Sequence, residues 1–257
     1  MRKIVNFNSI KAIYKFEMAR ALRTIMQSII APVVSTSLYF IVFGAAIGSR
    51  ISQLDGVSYG AFIIPGLMML SVMTTSVNYA AFGIYLPKYT GSIYEVMSAP
   101  ISAFEIIIGY VGAAATKSIL ISFPILLTAT AFVSFEIKHP FWMLVLLTIT
   151  GITFSLFGFI IGLWASNWER LQLIPLIVIT PLVFLGGSFY STSMLPAFWQ
   201  TITNLNPIFY IINGFRWSFF GTSDVAIHIS ILFMVTFLCL CVIIISIIFK
   251  TGYKIRD

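Results

Sequence analysis

Six separate apolar stretches, each near the length of a bilayer crossing, occupy most of this chain: residues 26–48, 61–86, 106–135, 141–166, 173–186 and 225–249. A helix rises about 1.5 Å per residue and the hydrocarbon slab is about 30 Å thick, so about 20 residues suffice to cross it. Four runs clear that length easily, whereas 173–186 is short on its own. With 9% of residues charged and a mean hydropathy of +1.01, the chain cannot hide its apolar surface inside one water-soluble core. Its solvent is lipid, and a soluble globular protein is excluded. The expected fold class is an all-α integral membrane protein forming one transmembrane domain over residues 1–257. Within it, 1–25 forms a cytosolic interfacial helix, 26–249 a six-span bundle and 250–257 a cytosolic tail.

Charge placement predicts the sidedness. The segment before the first run carries Arg2, Lys3, Lys11, Lys15, Arg20 and Arg23, and the tail carries Lys250, Lys254 and Arg256. Lys88 and Arg170 lie in loops on that same side, while the opposite loops hold Arg50, Lys138 and Arg216. Eleven basic residues against three, with Lys117 inside a run, put both termini in the cytoplasm by the positive-inside rule. The net charge of +7 is therefore a topology signal and a source of attraction to anionic headgroups. It does not point to nucleic acid, because no soluble domain carries a basic patch. The first run begins near Ile25, extends past 20 residues and lacks a small-residue cleavage site, which predicts a retained anchor rather than a signal peptide. Cys239 and Cys241, two positions apart on a helix, point about 200° from each other and cannot bridge, so buried, inert thiols are expected.

Between Ser9 and Ile25 the residues Ile10, Tyr14, Met18, Ala21 and Ile25 recur at helical spacing, with Lys15, Arg20 and Arg23 toward the other side. That pattern predicts an amphipathic helix on the inner membrane surface. Glu17 falls on the apolar stripe; a protein partner for its charge and a snorkelling or surface-paired carboxylate both fit. The connection at 87–105 reads PKYTGSIYEVMSAPISAFE. Gly91 breaks the preceding helix, two short turns follow, and Pro100 stops them. Ile93, Val96 and Met97 would share a face there, on a loop too short for its own core. Such a patch either docks a partner or lies against the membrane surface. Lys117 must snorkel, face an aqueous cavity or find a partner, because an unpaired ammonium at mid-bilayer is costly. It marks the inner interface on one reading and faces a transport pathway on the other.

The region 187–224 is too apolar for a solvated loop: Phe189, Tyr190, Leu195, Phe198, Trp199, Phe209, Phe215, Trp217 and Phe219 all fall in it. Ser193 before Pro196, and Asn206 before Pro207, predict two short helix starts. Pro181, Gly186 and Gly187 predict a broken fifth span, followed by short re-entrant helices dipping into the outer leaflet.

Several chemistries are missing. No GxxxxGK[ST] stretch cradles phosphates, and His139 and His228 form no HExxH pair, nor the cysteines a CxxC, so neither nucleotide nor metal binding is expected. The carboxylates Glu17, Asp55, Glu95, Glu105, Glu136, Glu169, Asp224 and Asp257 all fall at boundaries or in loops. Proton-coupled transporters generally need ionisable groups at membrane depth. Ser71, Ser122 and Ser155 have no visible base and are expected to serve helix packing.

Taken in order, several short motifs resemble those of ABC-2 type transporter permeases, and within that family the enterobacterial Yad-type inner-membrane permeases. They are IGSRI at 47–51, PG at 65–66, YEVMSAP at 94–100, GYVG at 109–112, PLVFLGGSFYS at 181–191, LPAFWQ at 195–200, LNP at 205–207 and GFRW at 214–217. The resemblance implies the permease subunit of an ATP-driven exporter in a bacterial inner membrane. A homodimer would join two copies of a separate ATPase subunit, which would hold the ATP and magnesium. It implies a coupling helix at Ile93, Tyr94, Glu95, Val96, Met97, Ser98, Ala99 and Pro100, with Glu17 on the neighbouring interfacial helix finding its partner there. Tyr94, Glu95 and Val96 stand where many relatives are richer in acidic residues, which leaves partner choice open. Gly186, Gly187, Pro196, Phe198, Trp199, Asn206, Pro207 and Arg216 would form an outer re-entrant gate. An amphiphilic, lipid-linked or polysaccharide-type cargo is expected. The competing class is a secondary transporter or channel independent of ATP, which the lack of intramembrane carboxylates and of a visible inverted repeat disfavours. An integral-membrane enzyme lacks a metal or nucleophile constellation.

Overall fold

The computed structural model describes residues 5–48, 50, 51, 53, 54 and 56–252. Arg2, Lys3, Lys254, Arg256, Asp55 and Asp257, and Ser49 of IGSRI, lie outside the described residues. Among those described, six helices are long and apolar enough to cross a membrane: Met26–Gly44, Tyr59–Thr90, Ala103–Phe132, Pro140–Trp164, Trp168–Leu185 and Ile227–Thr251. A first helix, Phe7–Arg23, precedes them, and a two-residue hairpin pairs Gln53–Leu54 with Val57–Ser58 between spans one and two. The protein is all-α, as expected.

The second span is the axis. From Tyr59 to Met69 every residue is buried, with Phe62, Ile63, Ile64, Leu67 and Met69 fully so. Span four reaches it through two glycines one turn apart. A Cβ on Gly158 would strike the Val77 carbonyl, and one on Gly162 the Ala81 carbonyl. The GFIIG stretch is thus a small-xxx-small seam that lets two backbones touch where lipid provides no hydrophobic drive for helix association. It is plain in the sequence but was not among the motifs above.

Spans one, five and six are peripheral and leave apolar faces open. Val34 and Leu38 on the first, Leu176 and Ile177 on the fifth, and Leu232, Leu240 and Ile243 on the sixth are all exposed. Lipid tails, or another protein's apolar face, are the surroundings such residues require. Cys241 is buried and Cys239 exposed on that last span, so only one of the two thiols is interior.

Two expectations need correction. The fifth span is not limited to 173–186. It begins at Trp168, where the Asn167 side chain caps the helix by accepting from the Arg170 N–H at 2.8 Å. The polar residues Glu169, Arg170 and Gln172 masked that turn in a hydropathy reading. Pro181 does not break it either, because a wide π-type turn at Pro175–Ile179 absorbs the irregularity and the helix runs on to Leu185. Similar turns open and close the first span, at Met26–Ile30 and Phe40–Ile47.

The glycine seam makes a simple test. Gly158→Ala and Gly162→Ala should each destabilise the bundle by about 1–3 kcal/mol through overpacking. Gly44→Ala, with nothing within 4 Å of the new Cβ, should change stability by less than about 0.5 kcal/mol. Thermal unfolding in detergent measures both.

Candidate functional site

The first helix is seated along the third span by small residues. Asn6 caps it, accepting from the backbone N–H groups of Asn8 and Ser9 at 3.2 and 3.4 Å. Ile13 lies over Gly109, where an added Cβ would come within 2.8 Å of it, and Tyr14 passes Gly112. The GYVG stretch is therefore a bed for this helix. Glu105 fastens the same corner. One of its oxygens accepts from the Asn6 N–H at 2.7 Å and the other from the Ser102 N–H at 2.9 Å. The Ser102 hydroxyl in return accepts from the Glu105 N–H, completing a capping box at the start of span three.

Glu17 and Lys117 meet at the centre of that contact. The carboxylate is 2% exposed and the ammonium 4%, and they stand 3.4 Å apart across 100 residues of sequence. Arg20, one turn further along the first helix, approaches the same carboxylate oxygen at 2.6 Å. Aromatic faces complete the shell: Lys117 Nζ lies 5.0 Å from the Tyr79 ring centre, and the Arg20 guanidinium 4.8 Å from that of Phe82. Gly83 leaves the room, since a Cβ there would sit 3.5 Å from the Glu17 carboxylate. The readings of Glu17 as turned toward a partner protein, or snorkelling at the surface, are thus corrected: its partners are in its own chain. Opposite charges, one on an apolar stripe and one in an apolar run, were the available signal.

Beside the pair, a cavity of about 300 Å³ is lined by Arg20, Gln27, Asn78, Lys117, Trp168 and Gln172. Gln27 and Asn78 also line a second cavity of about 370 Å³, whose walls include Ser35, Tyr39, Thr74 and Thr180. Joined at Gln27 and Asn78, they form an open groove between spans one, two and five, whose mostly apolar walls carry a line of amide and hydroxyl groups. Gln27, Asn78 and Gln172 are the amide side chains of the six spans, and all three border this groove. At the groove's other end Tyr39 and Phe184 join Phe43 and Phe189 in an aromatic cluster, with Phe189 4.6 Å from Phe43 and 5.0 Å from Phe184 between ring centres. Apart from Arg20, Lys117 and Phe189, none of these groove residues was singled out from sequence; amides within apolar runs would have found three.

The short helix Ile93–Ser98 lies at the first-helix end. Gly91, at φ 79°, turns the chain out of span two in a conformation that glycine adopts freely. Lys88 Nζ donates to the Leu163 carbonyl at 2.9 Å, tying the ends of spans two and four. Ile93 is buried and Val96 half-buried in an apolar cluster with Ile106 and Tyr110, to which Ile13 of the first helix also packs. The expected outward face of Ile93, Val96 and Met97 is therefore split. A helix resting on the bundle turns its most apolar residue inward, and Tyr94, Glu95, Met97, Ser98 and Pro100 are what it exposes, with Ala99 half-buried.

The far end is cross-linked. Gly186 ends the fifth span and Gly187 follows at φ 80°. The Asn206 side chain donates to the Leu182 carbonyl at 2.6 Å and accepts from the Ile208 N–H at 3.0 Å, starting the helix Pro207–Phe220 with Pro207 in its first turn. That helix is mostly buried. Its Arg216, expected in an outer loop, is 3% exposed: it donates to the Gly187 carbonyl and stands 4.0 Å from the centre of the Phe62 ring. Asp224 accepts from the Ser191 hydroxyl at 3.0 Å and the Thr192 N–H at 3.2 Å, closing the loop from the other side. Burial raises the pKa of the Tyr190 phenol in this loop, keeping it a neutral donor to the Leu185 carbonyl at 3.0 Å. The other short helix, Ala197–Leu205, follows Pro196 directly, without a Ser193 cap, and leaves Phe198 and Trp199 exposed.

The family model for the ABC-2 type transporter matches residues 8–220. The chain is 37% identical to the inner membrane transport permease YadH of Escherichia coli strain K12 over 237 residues, covering 91% of this chain and 93% of the relative. It is 28% identical to nodulation protein J of Rhizobium leguminosarum bv. viciae over 222 residues, covering 82% of each. The chain belongs to the ABC-2 type transporter family, and it is a membrane permease of that type.

The buried pair yields a double-mutant cycle. Glu17→Ala, which leaves two cations facing each other, should cost about 3–5 kcal/mol. Combining Glu17→Ala with Lys117→Met should restore most of that stability, and the cycle closed with Lys117→Met alone should give an interaction energy above about 0.5 kcal/mol in unfolding measurements. Strict additivity would mean that the two groups do not interact.

Proposed function

We propose that this chain is the membrane half of an ATP-driven exporter of a bacterial inner membrane, with both termini in the cytoplasm. Two copies work together with two copies of a separate ATPase, which holds ATP and magnesium. The cargo is amphiphilic, lipid-linked or polysaccharide-type, and it moves outward along the groove between spans one, two and five. The observation that carries this reading is that groove: a line of amides and hydroxyls through a bundle whose other walls are apolar. The exposed faces of spans one and five flank it, so a second copy set against them encloses a pathway between the protomers. The name of the Escherichia coli relative, an inner membrane transport permease, supports the location.

The lever is the short helix Ile93–Ser98. Tyr94 and Met97 stand outward, 53% and 36% exposed, while Ile93 is rooted among side chains of the first helix and span three. A push on the exposed pair is delivered through Ile93 to the helices that carry Lys117 and Glu17. ATP binding closes the partner ATPases and supplies the push; the spans bordering the groove then shift, carrying the cargo from the cytoplasmic side past the aromatic cluster at Tyr39, Phe43, Phe184 and Phe189. Gly186, Gly187, Asn206, Pro207 and Arg216 hold the far end against that motion, with Pro196, Phe198 and Trp199 at its rim.

Tyr94→Asp and Met97→Asp should each lower co-purification of the partner ATPase by about tenfold, which is the loss of about 1.4 kcal/mol of binding, without altering the thermal stability of the permease. Undiminished association would remove the coupling role from this helix. Cargo movement by the permease alone in vesicles would favour a secondary transporter or channel.

A further inference from the structure

We infer that the cavity beside Glu17 and Lys117 is a binding site for a singly charged oxyanion, a phosphate-type group, presented at the first-helix end of the groove. This rests on the groove being the transport path and adds a chemical class to its cargo.

The charges set the sign. Arg20 and Lys117 both line the cavity, and Glu17 is the single carboxylate they share, which leaves one positive charge over. Net charge against apolar walls is costly unless a counter-charge enters. The donors set the ligand. Arg20 Nη1 is buried and has no hydrogen-bond partner among the described residues, and Arg20 is one of the residues lining the cavity. A planar guanidinium offers a fork of N–H groups that matches phosphate and carboxylate oxygens. Gln27, Asn78 and Gln172 add amide N–H groups around the same volume. Tyr79 takes no part in this, since its hydroxyl already donates to the Ser28 carbonyl at 2.8 Å.

The surroundings fit an amphiphile. Trp168, edge-on to Phe82 at 5.5 Å, forms an aromatic wall, and Lys117 also borders a smaller, wholly apolar crevice of about 60 Å³ lined by Met18, Leu22 and Leu120. Leu22 and Leu120 are 64% and 50% exposed, so the crevice opens toward the surroundings of the bundle. An oxyanion held by Arg20 and Lys117 thus has an apolar exit for attached hydrocarbon beside it.

The experiment uses the full-length permease, purified without its ATPase in uncharged detergent. Bound lipid is counted by native mass spectrometry with dioleoyl phosphatidic acid and dioleoyl phosphatidylcholine, and inorganic phosphate serves as competitor. The wild type should prefer phosphatidic acid by at least tenfold. Arg20→Gln, which leaves the Glu17–Lys117 pair intact, should abolish most of that preference, and Arg20→Lys should keep part of it. Glu17→Gln, which raises the residual charge, should strengthen phosphatidic acid binding severalfold. Displacement by phosphate only at millimolar concentration would identify a headgroup with its tail as the ligand. Equally tight binding of phosphate alone would identify a free oxyanion, and either result supports the site. Equal binding of the two lipids to the wild type, or a preference untouched in Arg20→Gln, overturns it. Lipid preference and ATPase co-purification measured together on Tyr94→Asp, Met97→Asp and Arg20→Gln separate the two readings: undiminished co-purification of the first two with a lipid preference lost in Arg20→Gln counts against coupling alone, and lowered co-purification of the first two with equal binding of the two lipids to the wild type counts against this site alone.

Discussion

An ammonium on the third of six apolar spans has to be neutralised, and in this protein the neutralising group arrives from outside the spans. Glu17 reaches Lys117 from the first helix, and its approach positions everything else at that end. The helix has to lie close along span three, which Gly109 and Gly112 permit, and close to span two, which Gly83 permits. Glu105 then fixes the entry to the first helix and the start of span three with one carboxylate. The short helix Ile93–Ser98 leads into that capped corner and roots Ile93 in the same cluster as Ile13. One electrostatic requirement thus draws three separate segments into a single mechanical unit.

The rest of the bundle divides into a tight part and an adaptable part. Spans two, three and four interlock, with backbone nearly on backbone at Gly158 and Gly162. Spans one and five, which border the groove, carry the wide turns at Met26–Ile30, Phe40–Ile47 and Pro175–Ile179. Such turns hold a poorer hydrogen-bond register and mark functional irregularity in helices. The far end is stiffened differently, by polar cross-links: Arg216 to Gly187, Asn206 to Leu182, and Asp224 to Ser191 and Thr192. The Arg216 and Asn206 side chains are buried among apolar neighbours, so their bonds have little competition from water and hold irregular backbone that lipid alone would not tolerate. A groove between a fixed wall and two adjustable ones suits a path that opens and closes.

Local rules carried much of this into view. Long apolar runs located the spans within a few residues, helical spacing from Ile10 to Ile25 located the first helix, and Gly91 and the Asn206–Pro207 pair marked a helix end and a helix start correctly. Each of those signals is contained in a few neighbouring residues. What stayed hidden depends on residues far apart. The partnership of Glu17 and Lys117 spans 100 positions. Arg216 reads as a loop charge until the helix carrying it is packed against Phe62, and Ile93 reads as exposed until the first helix covers it. The start of span five was hidden for another reason: hydropathy weighs Glu169, Arg170 and Gln172 as loop, whereas the Asn167 cap and the groove around Gln172 make them helix.

The choice of charged groups at the first-helix contact is itself informative. Replacing a buried ion pair with well-packed apolar side chains is often neutral or stabilising by about 1–4 kcal/mol, so holding two helices together does not require charge. A leucine and a methionine at positions 17 and 117 would fasten the first helix at least as well. They would not recruit Arg20 to the same spot, nor leave a residual positive charge facing a cavity that borders the groove. The triad therefore does what an apolar contact cannot: it builds a polar entrance into an apolar bundle and gives that entrance a sign. On the proposed transport reading, the same residues that join the first helix to span three would set what chemistry the groove admits, and movement of that joint would change the binding field as well as the shape of the path.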